Sequence, residues 1–148
     1  MSVIPNSQKY FSNLKGLFDF RRVWGKFHIM AKRILVVEDD TSIRELLVEL
    51  LESEGYQVAS AINGLEGIKY LQSQGNPNLI LIDLMMPVMD GYAFRTEQLK
   101  NNEWALIPTV VMSAEANAKE KMKNFNITAF LSKPVELDTI LKTVATFS

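Results

Sequence analysis

Ile34-Leu35-Val36-Val37 is apolar at every position and runs directly into Glu38-Asp39-Asp40. A strand with one wet face alternates apolar and polar residues, so an unbroken run of this kind suits a strand covered on both faces of a parallel sheet. The three acids then stand at its carboxyl end. Downstream, Asp40 or Thr41 is placed to cap a helix whose apolar stripe is Ile43, Leu46, Leu47, Leu50 and Leu51, and Gly55 stops it.

The alternation continues to the C-terminus. Gln57–Ala61 reads as a second, shorter strand, Asn63-Gly64 opens a helix through Leu71, and Gly75-Asn76-Pro77 ends that helix. Asn78 to Asp83 holds a third strand, and a loop through Pro87 and Asp90-Gly91 leads to a helix of about ten residues from Tyr92. Pro108–Met112 reads as strand four, a fourth helix begins near Asn117, and Thr128–Ser132 reads as strand five. Pro134 is expected at the start of a last helix, where a missing N–H does no harm, with Leu137, Ile140, Leu141 and Val144 on its apolar face. The pattern predicts an α/β fold, a three-layer (βα)₅ doubly wound parallel sheet. Right-handed crossovers put helices on both faces and ligands at the carboxyl ends of the strands.

The chain has 148 residues and no cysteine, which excludes disulfides, thiol nucleophiles and thiolate metal sites. The formal net charge of −1 conceals an asymmetry. Residues 1–30 carry Lys9, Lys15, Arg21, Arg22 and Lys26 against Asp19, a net +4, whereas residues 31–148 hold 11 basic and 16 acidic residues, a net −5. An acidic body is poorly suited to neutralising phosphates, so direct binding of nucleic acid is not expected. No apolar run approaches the ~18–20 residues of a membrane span, and no secretory signal stands at the N-terminus, so the expected location is the cytoplasm. The expected division is an extension over 1–30 and a folded body over 31–148.

Four groups of polar residues fall at the carboxyl ends of the expected strands: Glu38-Asp39-Asp40, Asp83, Ser113 and Lys133. Taken singly, each has a plain structural explanation as a solvated cap or an end-of-strand charge. Together they converge on one edge, where several carboxylates repel one another unless a cation binds. A hard oxygen site with few protein ligands suits Mg²⁺, which keeps waters and takes a phosphoryl oxygen.

These motifs resemble the receiver domain of bacterial two-component response regulators. The resemblance covers residues 33–146 and rests on Ile34–Asp40, on Asp83-Leu84-Met85-Met86-Pro87-Val88-Met89-Asp90-Gly91, on Val111–Ala116 and on Phe130-Leu131-Ser132-Lys133-Pro134. Asp39 and Asp83 stand 44 residues apart, and Asp83 and Ser113 stand 30 apart, spacings similar to the family's. The resemblance implies the flavodoxin-like strand order 2-1-3-4-5. It further implies Asp83 as phosphoacceptor, Lys133 and Ser113 as partners of the phosphoryl group, and Phe130 as a switch residue that turns from exposed to buried. Mg²⁺ would be held by Glu38, Asp39, Asp83 and the main-chain carbonyl of Met85, and the Lys133–Pro134 bond would be cis. Implied partners are a sensor histidine kinase or histidine phosphotransfer protein upstream and a protein target downstream. Two departures stand out: Glu38 replaces the more usual Asp, and Phe130 replaces Tyr, which removes any signalling through a tyrosine hydroxyl.

Two other functions compete. A flavin-binding module of the same strand order needs a Ser/Thr- and Gly-rich phosphate loop after strand one, and three carboxylates there would repel the phosphate. A Mg²⁺-dependent phosphohydrolase needs an Asp-x-Asp pair, which Glu38-Asp39-Asp40-Thr41 lacks. The expected function is a single-domain phosphoacceptor switch without a DNA-binding output domain and without enzymatic activity beyond its own phosphorylation and dephosphorylation. For residues 1–30 three readings stay open: a mis-assigned start ahead of Met30, a tail, or a basic amphipathic helix built on Tyr10, Phe11, Leu14, Leu17, Phe18, Val23, Trp24 and Phe27, the one segment through which a membrane contact is expected if there is one.

Overall fold

The structure, a computed structural model, describes residues 31–148; the three readings of residues 1–30 lie outside the described residues. Among the described residues five strands and five α-helices alternate: β1 (Arg33–Val37), α1 (Thr41–Ser53), β2 (Gln57–Ala61), α2 (Gly64–Gln74), β3 (Leu79–Asp83), α3 (Gly91–Leu99), β4 (Thr109–Ser113), α4 (Ala118–Lys121), β5 (Ala129–Ser132) and α5 (Leu137–Phe147). All strand pairs are parallel, in the order β2-β1-β3-β4-β5, as expected.

Side-chain alternation along the central strands splits the core into two layers. Leu35, Val37, Ile80 and Ile82 pack with Ile68 and Leu71 of α2 and Phe94 of α3. Ile34, Val36, Leu79 and Leu81 face the other way, onto Leu47 and Leu51 of α1 and Ile140 and Val144 of α5. Each such side chain removed from water contributes about 1.5–3 kcal/mol before chain entropy is set against it. Both faces of β1 and β3 are therefore dry, which is why their sequences do not alternate.

Local chemistry sets the helix ends. Asp40 rather than Thr41 caps α1, its Oδ1 accepting from Ile43 N at 2.9 Å; Asn63 and Asp90 do the same for α2 and α3. Gly91 starts α3 against the strand that carries Asp83: a Cβ there would lie 2.6 Å from the Asp83 carbonyl oxygen.

Several boundaries differ from expectation. The α2 helix continues past Leu71 to Gln74, because an exposed polar turn is as helical as an apolar one until Gly75 breaks it at φ 80°. Strand β4 runs one residue later than expected: Pro108 has no N–H for the ladder, while Ser113 closes the strand instead of following it. The fourth helix is a single turn, and α5 begins at Leu137, not at Pro134. The stripe of α1 is only half covered. Ile43 (38% exposed) and Leu46 (47%) line an apolar groove of 380 Å³ with Pro134, Val135 and Leu137.

One buried cation departs from the apolar plan. Arg95 on α3 is 2% exposed; its guanidinium donates to the main-chain carbonyls of Phe125 and Asn126 at 2.9 and 2.6 Å and to Thr109 Oγ1 at 3.2 Å. Buried Gln98 also donates to Thr109 Oγ1, at 3.1 Å, so a polar seam ties α3 to β4 and to the turn before β5.

Candidate functional site

The carboxyl ends of β1, β3, β4 and β5 open on one edge of the sheet. Asp83 is the last residue of β3 and pairs in register with Met112, which sets Ser113 one step further along the neighbouring strand. Glu38 follows β1 directly, and its N–H donates to the Ala61 carbonyl at 3.1 Å, so its side chain continues the strand's geometry into the site. Lys133 follows β5, with its N–H on the Ser113 carbonyl at 2.9 Å, and the Lys133–Pro134 bond is cis.

Backbone register brings side chains from distant positions together. The Lys133 ammonium donates to Glu38 Oε2 at 2.9 Å and to Asp83 Oδ2 at 3.0 Å. Glu38 is 1% exposed and Asp83 6%, whereas Asp39 is open to solvent. Carboxylate oxygens of Glu38, Asp39 and Asp83 lie within 4.8 Å of one another. The remaining acceptors are lightly engaged: Glu38 Oε1 takes Asp40 N at 3.1 Å, and Asp83 Oδ1 takes Met85 N at a weak 3.4 Å.

With all three acids ionised, three negative charges face one ammonium. Burial pushes the Glu38 carboxyl above its ordinary value, with the Asp83 charge adding to the rise and the Lys133 hydrogen bond pulling back. Burial alone would lower Lys133; its hydrogen bonds to Glu38 and Asp83 more than offset this and hold it above the ordinary lysine value. A closely spaced set of oxygen donors carrying surplus negative charge fits a hard divalent cation such as Mg²⁺ better than a soft metal.

The other expected residues are placed as follows. Ser113 is buried, and its Oγ accepts from Glu115 N at 3.1 Å. Met85 has an exposed side chain two residues beyond Asp83. Phe130 is half-buried rather than exposed; it sits opposite Val111 and packs on the core layer shared with Val111 and Met122.

Two groups of contacts were not anticipated from sequence. Arg44, in the first turns of α1, binds the main-chain carbonyls of Glu38 and Asp39. Tyr92 on α3 donates from its hydroxyl to Glu115 Oε2 at 2.9 Å, and Glu115 also pairs with Lys121. Partial burial, followed by the Glu115 bond, pushes the Tyr92 hydroxyl up to about 12. An arginine shortly after an acidic loop was the available signal for the first group; the second joins residues 23 positions apart and has no local signature.

Comparison with known proteins identifies the family and the fold. The family model described as "Response regulator receiver domain" matches residues 34–145. Protein PilH of Pseudomonas aeruginosa is 32% identical over 114 residues, 76% of this chain and 93% of PilH. The solved structure of chemotaxis response regulator CheY4 of Vibrio cholerae superposes with a TM-score of 0.74 at 28% identity, covering 80% of this chain and all of that one. Response regulator TrrA of Thermotoga maritima, solved in complex with Mg²⁺-BeF, gives 0.70 at 30% identity over 79% of this chain and 99% of TrrA. Against several other curated relatives the chain spans about half their length.

Proposed function

The chain belongs to the response regulator receiver family, and from that premise we propose that Asp83 accepts a phosphoryl group from a phosphohistidine of a sensor kinase or histidine phosphotransfer protein. The observation that carries this reading is the Lys133 ammonium shared between the buried carboxylates of Asp83 and Glu38, with Asp39 beside them. A carboxylate oxygen of Asp83 attacks phosphorus; the P–N bond breaks, and its electron pair returns to the departing imidazole nitrogen, which takes up a proton. An acyl phosphate on Asp83 results.

Phosphoryl transfer asks the protein mainly for positioning and for positive charge near the equatorial oxygens. Lys133 is held within hydrogen-bond distance of the nucleophile and neutralises charge as it shifts from the carboxylate to the phosphoryl oxygens. Glu38, Asp39, Asp83 and the Met85 carbonyl would hold Mg²⁺, which when bound supplies further neutralisation. Ser113, one step beyond Asp83 on the adjacent strand, donates its hydroxyl to a phosphoryl oxygen once that oxygen is present. Drawing Ser113 inward pulls on the loop to α4, and Phe130, half-buried against that region, repacks and changes the face it lines. The apolar groove bordered by Lys133 favours a protein as the physiological donor, and output runs through protein contact. The protein works in the cytoplasm, and residues 1–30 are dispensable for this chemistry.

Incubation with acetyl phosphate and Mg²⁺ followed by intact mass measurement tests the assignment. One phosphoryl group should add to the wild type and none to Asp83→Asn. Full and lasting labelling of Asp83→Asn would refute it, and a flavin absorbance spectrum or hydrolysis of phosphomonoesters would point to one of the competing functions.

A further inference from the structure

We propose that Arg44 is a positioning residue for the Mg²⁺ site: it touches neither the phosphoryl group nor the ion but fixes the main chain that carries Glu38 and Asp39. The inference rests on the reading of the acidic cluster as that site. The loop between β1 and α1 is three residues long, and its three carbonyls lie beyond the ladder of the sheet. The Arg44 side chain answers two of them, and the third takes the ordinary helical main-chain bond. Arg44 N donates to Asp40 O at 2.9 Å, while Arg44 Nη1 donates to Glu38 O at 2.8 Å and Asp39 O at 3.2 Å.

This arrangement matters most for Asp39. The Glu38 carboxylate is held independently by Lys133 and Asp40 N, whereas the Asp39 carboxylate is exposed and reaches the cluster only as its backbone directs. Side-chain rotamer freedom at an exposed Asp is cheap to lose only when the backbone beneath it is already fixed. A guanidinium hydrogen-bonded to the flanking carbonyls supplies that rigidity, as partners behind metal ligands generally do, and their removal typically lowers metal affinity by 10–100-fold.

Electrostatics and positioning predict opposite signs, which makes the test decisive. If Arg44 acts only as a nearby positive charge, removing it reduces repulsion of the cation and Mg²⁺ binds more tightly. If Arg44 positions the loop, removing it weakens binding. Mg²⁺ should be titrated calorimetrically into wild type, Arg44→Met and Asp39→Asn, each confirmed folded by circular dichroism. Arg44→Met should bind about ten-fold more weakly than wild type. In acetyl phosphate labelling, its half-saturating Mg²⁺ concentration should rise by a similar factor, while the rate at saturating Mg²⁺ stays within about two-fold. A merely structural role would lower the melting temperature and leave Mg²⁺ affinity unmoved. If Arg44→Met does not fold, Arg44→Gln gives the same comparison. Equal or tighter binding by the Arg44 variant, beside a wild type that binds and an Asp39→Asn that binds weakly, overturns the role of Arg44 alone. A wild type that binds no Mg²⁺ overturns the site reading and this inference with it.

Discussion

The Lys133 ammonium lies 3.0 Å from Asp83 Oδ2, although 50 residues separate them in the chain. It is also the nearest compensation for Glu38, so Lys133→Ala leaves two buried carboxylates facing each other without a cation. In metal-free buffer this variant should lose about 1–3 kcal/mol in a urea titration, with part of the loss returned by Mg²⁺. Its rate of labelling by acetyl phosphate should fall by about 10²-fold or more even at saturating Mg²⁺. An unchanged rate would remove Lys133 from the chemistry.

Asp39 is exposed and packs on nothing in the core, so Asp39→Asn should fold as the wild type does. Loss of one carboxylate charge beside the cation should weaken Mg²⁺ binding by about ten-fold or more, read by calorimetry. Equal affinity would place the ion elsewhere.

Arg95→Ala strips the donors from the carbonyls of Phe125 and Asn126 and opens a cavity beside Thr109. A destabilisation of about 2–5 kcal/mol is expected in denaturant. Arg95→Leu, which fills part of the space with apolar volume and removes the buried charge, should cost less. Amide exchange should rise in the turn before β5 in both variants; a change confined to α3 would contradict the proposed seam.

Gly91→Ala forces a methyl against the Asp83 carbonyl and the Leu84 backbone, which cannot rotate away. The start of α3 must shift, at a cost of about 1–3 kcal/mol. Thermal melting measures this, and phosphate acceptance should fall with it because the strain falls on the main chain of Asp83, the proposed phosphoacceptor.

The Glu115 carboxyl is held below its ordinary value of 4.5, first by Lys121 and then by the Tyr92 hydroxyl. A depressed folded value means that this stability is fully present above 4.5 and is lost as pH falls through the lower folded value. Glu115→Gln should therefore melt below wild type at neutral pH, and the difference should close in acid. A gap that widens on acidification would contradict the ion pair.

The legibility of the fold follows burial. Leu79-Ile80-Leu81-Ile82 announces a central strand because both of its faces are dry, and Asp83 stands out as the acid that ends such a run. Glu38 is legible for the same reason, as the acid directly after Ile34-Leu35-Val36-Val37, whereas Lys133 follows a half-buried edge strand and stands out only as the cation ahead of Pro134. By contrast, α1 looks more deeply buried in sequence than in space, since periodicity reports which residues share a face but not how much of that face a neighbour covers; Ile43 and Leu46 share the face of Leu47 yet stay exposed. Arg95 is illegible for the opposite reason. A charged residue on a helix reads as solvated, and only the carbonyls of a turn 30 residues away make its burial tolerable. Arg44 and Tyr92 act through loop carbonyls and a carboxylate that the chain brings near only after the sheet has formed.

Asp83 and Ser113 are the closing residues of two neighbouring strands that are buried along their whole length. Such strands are the last part of a domain to open, so the breathing motions that expose loops and helix ends leave the Asp83 carboxylate where it is. A phosphoacceptor at Asp83, as proposed, has no partly melted, partly competent form available to it. Heating should therefore extinguish phosphate acceptance and sheet structure in one cooperative transition, and the molecule should answer its donor either with full geometry or not at all.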